Sequence, residues 1–222
     1  MIGLRLDPRL RHVLAIGAHA DDLEIGAFGL LDGLLGQAGL TLTWVVLSGS
    51  AERAAEGRRS VERLVAGRVR VNVEQLDFRE RYFPHLPELK EYFDDLSGRV
   101  RPDLVVTPRL EDRHQDHRTA AELTWQAFRN VLVLEYEIAK YEGDLGNPNV
   151  FIPLTRADVD RKVEHLLESF PSQQARGWFG AETFEGLMRM RGIECAAPGG
   201  YAEGFTARKA ILDPSVGDPP PT

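Results

Sequence analysis

The sequence predicts an α/β fold with a mostly parallel sheet, and three observations carry that prediction. Short apolar runs alternate with stretches of helical periodicity, the signature of βαβ units. Near-continuous apolar runs such as Trp44-Val45-Val46-Leu47 suit strands buried on both faces. Two of the runs end directly in clusters of His and Asp, at the strand ends where ligands bind in open α/β sheets.

The elements follow in order. Val13-Leu14-Ala15-Ile16 places the first strand over 12–17, closed by Gly17. A helix is expected over 23–38, then a strand over 41–48 and a helix over 56–67. A strand over 69–76 and a helix over 86–99 come next. Leu104-Val105-Val106, closed by Thr107-Pro108, marks a strand over 103–107, followed by a helix over 117–129 and a strand over 131–137. Crossovers in such units are right-handed. Beyond about 140 the pattern changes. Residues 143–149 read as a loop, 156–169 and 181–191 as helices, and 201–211 as a final edge strand. This part reads as a C-terminal α/β appendage to a single domain spanning 1–212, and the Pro-rich segment 213–222 reads as a tail.

Composition bounds the function. The chain has 222 residues, 43% of them hydrophobic and 27% charged, ordinary for a globular domain with a substantial core. A net charge of −7 argues against nucleic acid or an anionic membrane surface as the main partner. It leaves room for an anionic small substrate, which one Arg pocket can hold. Cys195 is the single cysteine, so no intrachain disulfide forms, which fits a reducing compartment. The first seven residues do not resemble a signal peptide, and no apolar run reaches the ~18–20 residues of a membrane helix. A cytoplasmic location is expected.

The two clusters carry the chemistry. His19-Ala20-Asp21-Asp22-Leu23-Glu24 follows the first strand, and Asp112-Arg113-His114-Gln115-Asp116-His117 follows the strand at 103–107. His and Asp suit Zn²⁺ and similar divalent ions, and a catalytic zinc takes three protein ligands with one position left open. His19, Asp22 and His117 supply such a set for one ion per chain. Asp21 is then free to act as general base. His114 can donate to the oxyanion of a tetrahedral intermediate. Asp116 can orient His114 or a ligand histidine, and Glu24 serves behind the ligands or at the start of its helix. Each acidic residue taken alone suits a helix start, as do His114 and His117. Their joint placement at two strand ends favours a site. His12, His85 and His165 lack such a carboxylate cluster and read as structural or exposed, and Cys195 reads as packing. Gly17, Gly26 and Gly29 loosely match a dinucleotide fingerprint, but an acidic loop lies where phosphate would approach, so that reading is rejected.

At these residues the chain resembles the LmbE-like (PIG-L) family of zinc-dependent N-acetyl-sugar deacetylases. The family pattern is Ala-His-Pro-Asp-Asp-x-Glu after a strand and a later His-x-Asp-His before a helix. Ala18 to Glu24 and His114 to His117 match it. Ser48-Gly49-Ser50 with Arg59-Ser60-Val61-Glu62, and Tyr201-Ala202-Glu203-Gly204-Phe205, resemble further family segments more loosely. Ala20 takes the place of the family's Pro, a residue that stiffens the loop and coordinates nothing.

The resemblance implies a Rossmann-like three-layer sandwich that hydrolyses an acetamide on an amino sugar. It assigns His19, Asp22 and His117 to zinc, Asp21 to the base and His114 to oxyanion support. It also implies an Arg that contacts substrate. Arg53 and Arg59 are the candidates, with Arg58 beside them. The expected partner is a small N-acetyl sugar or glycoside. Two other readings are a zinc amidase or esterase on a non-sugar substrate and a non-catalytic metal-binding protein. Substrate choice is expected in the loops at 49–58, 78–88 and 141–154, and self-association through edge strands or the appendage stays open.

Overall fold

The computed structural model describes residues 3–211, so the expected tail at 213–222 lies outside the described residues. Strand β1 (His12–Gly17) is central. It pairs in parallel with β2 (Thr41–Val46) on one side and with β4 (Leu104–Pro108) on the other. Parallel pairing continues outward from β2 to β3 (Arg70–Gln75) and from β4 to β5 (Leu132–Tyr136). Helices α1 (Asp22–Leu34), α2 (Ala51–Val65), α3 (Pro87–Arg99) and α4 (Gln115–Ala127) make the crossovers. The chain thus winds from β1 towards β3 and then reverses to β4 and β5. The reversal opens a crevice at the carboxyl ends of β1 and β4, the switch point where such sheets bind ligands.

Alternate residues of the strands feed two cores, which makes three layers. Val13 and Ala15 of β1 pack under α1 and α2, while Leu14 and Ile16 pack under α3 and α4. Two Gly positions on α1 let that helix lie against the sheet. A Cβ at Gly26 would run into the Tyr136 ring, and one at Gly29 would run into Leu154. Close helix–sheet packing therefore explains the glycine spacing.

The C-terminal part differs from the sequence reading. Strand β6 (Val150–Leu154) was not expected, and β7 (Tyr201–Thr206) is not an edge strand. β7 lies between β5 and β6 and is antiparallel to both, giving the order β3-β2-β1-β4-β5-β7-β6. Helices α5 (Arg156–Ser169) and α6 (Ala181–Glu194) pack on the α1 side. The appendage is thus continuous with the main sheet. Pro153 removes a ladder donor from β6, which an edge strand tolerates.

Element bounds shifted for local reasons. α2 begins five residues earlier than expected because the Ser50 side chain caps it, accepting from Arg53 N–H. α1 ends at Leu34 rather than residue 38. It also breaks internally at Ala27, whose φ of −143° is not helical. The break frees backbone groups inside the protein, and two buried side chains satisfy them. Glu203 accepts from Gly29 N–H at 2.7 Å and Leu30 N–H at 3.0 Å, while Lys162 donates to the Ile25 carbonyl at 2.6 Å. Lys162 and Glu203 also pair with each other at 2.8 Å.

Candidate metal centre

The turn after β1 is built around His19 and Asp22. His19 N–H donates to Asp22 Oδ2 at 2.8 Å, which closes a tight turn just before α1 and aims both side chains into the crevice. The Ser48 hydroxyl, at the end of β2, donates to the Ala18 carbonyl and fixes the turn from the other side. Beyond the end of β4, the first turn of α4 brings in His117. His19 Nδ1 lies 3.0 Å from His117 Nε2, His117 Nε2 lies 3.3 Å from Asp22 Oδ2, and His19 Nδ1 lies 3.5 Å from Asp22 Oδ2. All three side chains are at least nine-tenths buried.

That triangle fits a metal. Ligands about 2.0–2.1 Å from a tetrahedral zinc stand about 3.3–3.4 Å from one another, and the three observed edges bracket that value. The other nitrogen of each imidazole is held by a carboxylate. His117 Nδ1 lies 2.9 Å from Asp112 Oδ2, and His19 Nε2 lies 3.4 Å from Asp116 Oδ2. Carboxylate–histidine pairs of this kind set the tautomer of metal-ligating imidazoles. They point the lone pairs of His19 Nδ1 and His117 Nε2 at the common centre.

Electrostatics points the same way. Burial works against the imidazolium of His117, yet Asp22 and Asp112 outweigh it and raise its pKa to about 10. Burial likewise opposes the His19 imidazolium, and Asp22 and Asp116 raise it to about 8. Burial favours the neutral acid of Asp22, but His117 and His19 hold it well below the usual carboxylate range. The carboxylates draw positive charge into the pocket, and a bound cation would displace the protons.

His114 stands beside this set. One nitrogen of His114 lies within 4.8 Å of donor atoms of His19 and His117. The triangle completed by Asp22 instead has edges that match a coordination sphere. His114 is also the N-cap of α4, and its Nδ1 accepts from Asp116 N–H at 3.3 Å. An imidazole whose Nδ1 accepts carries its proton on Nε2, so His114 offers an N–H rather than a lone pair. Burial, with His117 and His19 nearby, lowers its pKa and keeps it neutral.

Asp21 lies next to the triangle with its side chain buried. Arg53 Nη2 donates to Asp21 Oδ1 at 2.5 Å, and Arg53 Nη1 donates to Glu80 at 3.0 Å. Arg53 is thus engaged with the neighbouring carboxylate, while its Nε is buried without a partner. Arg59 lies exposed on α2 and makes no hydrogen bond or ion pair among the described residues. Glu24 is fully buried. Its Oε1 accepts from the Ser60 hydroxyl, which also contacts His165, and burial raises its pKa to about 8. His165 is therefore structural. His12 is half-buried against Thr43, and His85 is exposed.

Three residues that hold the site were not singled out in the sequence. Asp112 binds His114 N–H through Oδ1 at 2.8 Å and His117 through Oδ2, so it orients both histidines. Its place in the second cluster was the available signal. Lys140 Nζ donates to the same Asp112 Oδ2 at 2.8 Å. Nothing local to Lys140 announces that contact. Arg81 contributes its backbone. Its φ of 68° is left-handed, and its N–H donates to Asp116 Oδ2 at 2.6 Å.

The sequence profile of the GlcNAc-PI de-N-acetylase (PIG-L) family matches residues 14–128, which include both clusters. Solved structures share the fold at low identity. The conserved protein TT1542 from Thermus thermophilus matches with a TM-score of 0.72 and 22% identity, covering 93% of this chain and 99% of that one. The N,N'-diacetylchitobiose deacetylase from Pyrococcus horikoshii matches with a TM-score of 0.71 and 18% identity, over 90% and 84% of the two chains. GalB, the 4-carboxy-2-hydroxymuconate hydratase from Pseudomonas putida, matches with a TM-score of 0.71 and 19% identity, over 94% and 100%. One architecture thus carries different named activities, so function has to be argued from the site.

Proposed function

The chain belongs to the GlcNAc-PI de-N-acetylase (PIG-L) family, and from that premise we propose that it is a zinc-dependent hydrolase that removes the acetyl group from an N-acetylated amino sugar or its glycoside. One observation carries the reading: His19, Asp22 and His117 offer three donors with zinc-like spacing, beside a fourth group, Asp21, that the metal does not need. A structural site has no use for a spare carboxylate, whereas a hydrolytic one requires a base. Another divalent ion with the same ligand preferences would serve in zinc's place.

When bound by His19, Asp22 and His117, the metal supplies Lewis acidity, polarising the acetamide carbonyl and acidifying water. The protein residues do the rest. Arg53 donates to Asp21 Oδ1 and holds that carboxylate in place. Among the described residues Asp21 Oδ2 makes no hydrogen bond, which leaves it to take a proton from the attacking water. As water oxygen bonds to the carbonyl carbon, negative charge grows on the acetamide oxygen. His114 Nε2–H is the donor that stabilises it. The C–N bond then breaks, and the proton held on Asp21 passes to the leaving amine. Acetate and a free amino sugar result.

Acetate release from N-acetylglucosamine derivatives, measured with and without a chelator, tests the reading. The expected result is release that the chelator abolishes and added zinc restores. Release confined to non-sugar amides or esters would overturn the sugar assignment. Zinc binding without turnover of any amide would overturn the enzymatic one.

A further inference from the structure

Lys140 lies in the segment between β5 and β6, and its side chain is only 7% exposed. It sits between two carboxylates that are themselves buried. Its Nζ donates to Asp112 Oδ2 at 2.8 Å and to both oxygens of Asp144 at 3.3 Å. Asp112 Oδ2 is the atom that also faces His117 Nδ1. Asp144 Oδ2 accepts from Arg113 N–H at 2.7 Å, and the Asp144 carbonyl accepts from Arg109. One ammonium group therefore ties the 140–144 segment to the carboxylate that orients a metal ligand.

We propose that Lys140 is a positioning residue for the metal centre. By bridging Asp112 and Asp144, it fixes the acceptor that holds His117 with Nε2 facing the ion. The inference rests on the metal reading above. Two buried carboxylates that share a cation repel once that cation is removed, because little water is present to screen them. They relieve the repulsion by separating. Either Asp144 withdraws with its segment and releases Arg113 N–H, or Asp112 turns away from His117. Both movements loosen the hydrogen bond that sets the His117 tautomer and ring angle. Carboxylates behind ligating histidines typically control metal affinity by about 10–100-fold. Lys140 acts through such a carboxylate.

The test is zinc affinity, read by competition between metal-free full-length protein and a chromophoric chelator. The variants are Lys140→Met and Lys140→Gln, with Lys140→Arg as the conservative rescue and circular dichroism as the check on folding. The glutamine keeps length and polarity, so it serves if the methionine variant does not fold. We expect both neutral variants to bind zinc about 10–100-fold more weakly than wild type. The arginine variant should stay within about threefold, because it keeps the charge on Asp112. Wild-type affinity in a folded neutral variant would overturn the proposal. So would an arginine variant as weak as the neutral ones, because packing rather than charge would then be at work. A wild type that binds no zinc would overturn the metal reading itself, and the role of Lys140 with it.

Discussion

His19, Asp22 and His117 converge because two short turns, nearly one hundred residues apart in sequence, face each other across adjacent strands. Metal analysis of His19→Ala and His117→Ala should therefore show zinc lost from both proteins, and full retention in either would remove that residue from the ligand set. Asp21 and His114 sit beside the triangle, and the proposed mechanism gives them tasks other than ligation, so their variants should keep the metal. Asp21→Asn preserves shape and removes the base, and kcat should fall by about 10²–10⁴-fold. His114→Ala removes a donor that strengthens only as charge develops, and should lower kcat by about 10²–10³-fold with little change in KM. Normal kcat in a zinc-replete variant would reassign the role concerned. The three corners of the triangle could be picked out in the sequence because each cluster holds its own His and Asp. Their supports were less so. Asp116 was expected to hold a histidine, but which one depends on the fold, and it proves to be His19. Asp112 lies in the same cluster, yet its grip on His117 becomes visible only once α4 fixes the direction of that ring. Arg53 was expected at the substrate, and its bond to Asp21 arises where α2 crosses the β1 turn.

Among the elements, α1 departs furthest from its sequence pattern. It carries Asp22 at its first turn and breaks at Ala27, and the hydrophobic periodicity of 23–38 gives no sign of the break. The cause lies elsewhere in the chain. Gly26 and Gly29 press against β5 and β6, and Glu203 of β7 with Lys162 of α5 takes up the freed backbone groups. Both side chains are almost fully buried, so neither can fall back on water when its partner is lost. Glu203→Gln leaves the Lys162 ammonium without a counter-ion and gives only one oxygen to two N–H groups. Removing one partner of such a pair costs roughly 3–5 kcal/mol. Urea unfolding of the metal-free protein should show a loss of that order, and Lys162→Met in the Glu203→Gln background should recover part of it. A loss below about 1 kcal/mol would mean that solvent reaches the kink and that the pair is not structurally required.

In the whole molecule, the parallel half was legible because each βα unit announces itself locally, through an apolar run followed by a helical stretch. In the antiparallel part the two helices and the strand at 201 were legible, but β6 and the order of the strands were not. β6 is a five-residue strand with a proline and partial burial, and β7 inserts between β5 and β6 through contacts of long sequence separation. Local periodicity carries no record of such pairing. The same architecture sets what metal removal should do. Two of the donors hang from the β1–α1 turn and the third from the start of α4, on either side of the point where the winding reverses. A bound ion therefore joins both halves of the parallel sheet, and the unfolded chain has no comparable triangle to offer. Binding to the native state alone adds about 2.7–4.1 kcal/mol at 100–1,000 times Kd. In a domain of this size, each kcal/mol moves Tm by about 2–4 °C, so the zinc-loaded protein should melt about 5–16 °C above the chelator-treated one. His117→Ala should melt at the same temperature with and without zinc, because the triangle is open at one corner. Calorimetry on both proteins checks this. A wild-type Tm indifferent to zinc would show that the ion does not bridge the two strand ends, and a zinc-dependent Tm that survives His117→Ala would place the bound ion elsewhere on the protein.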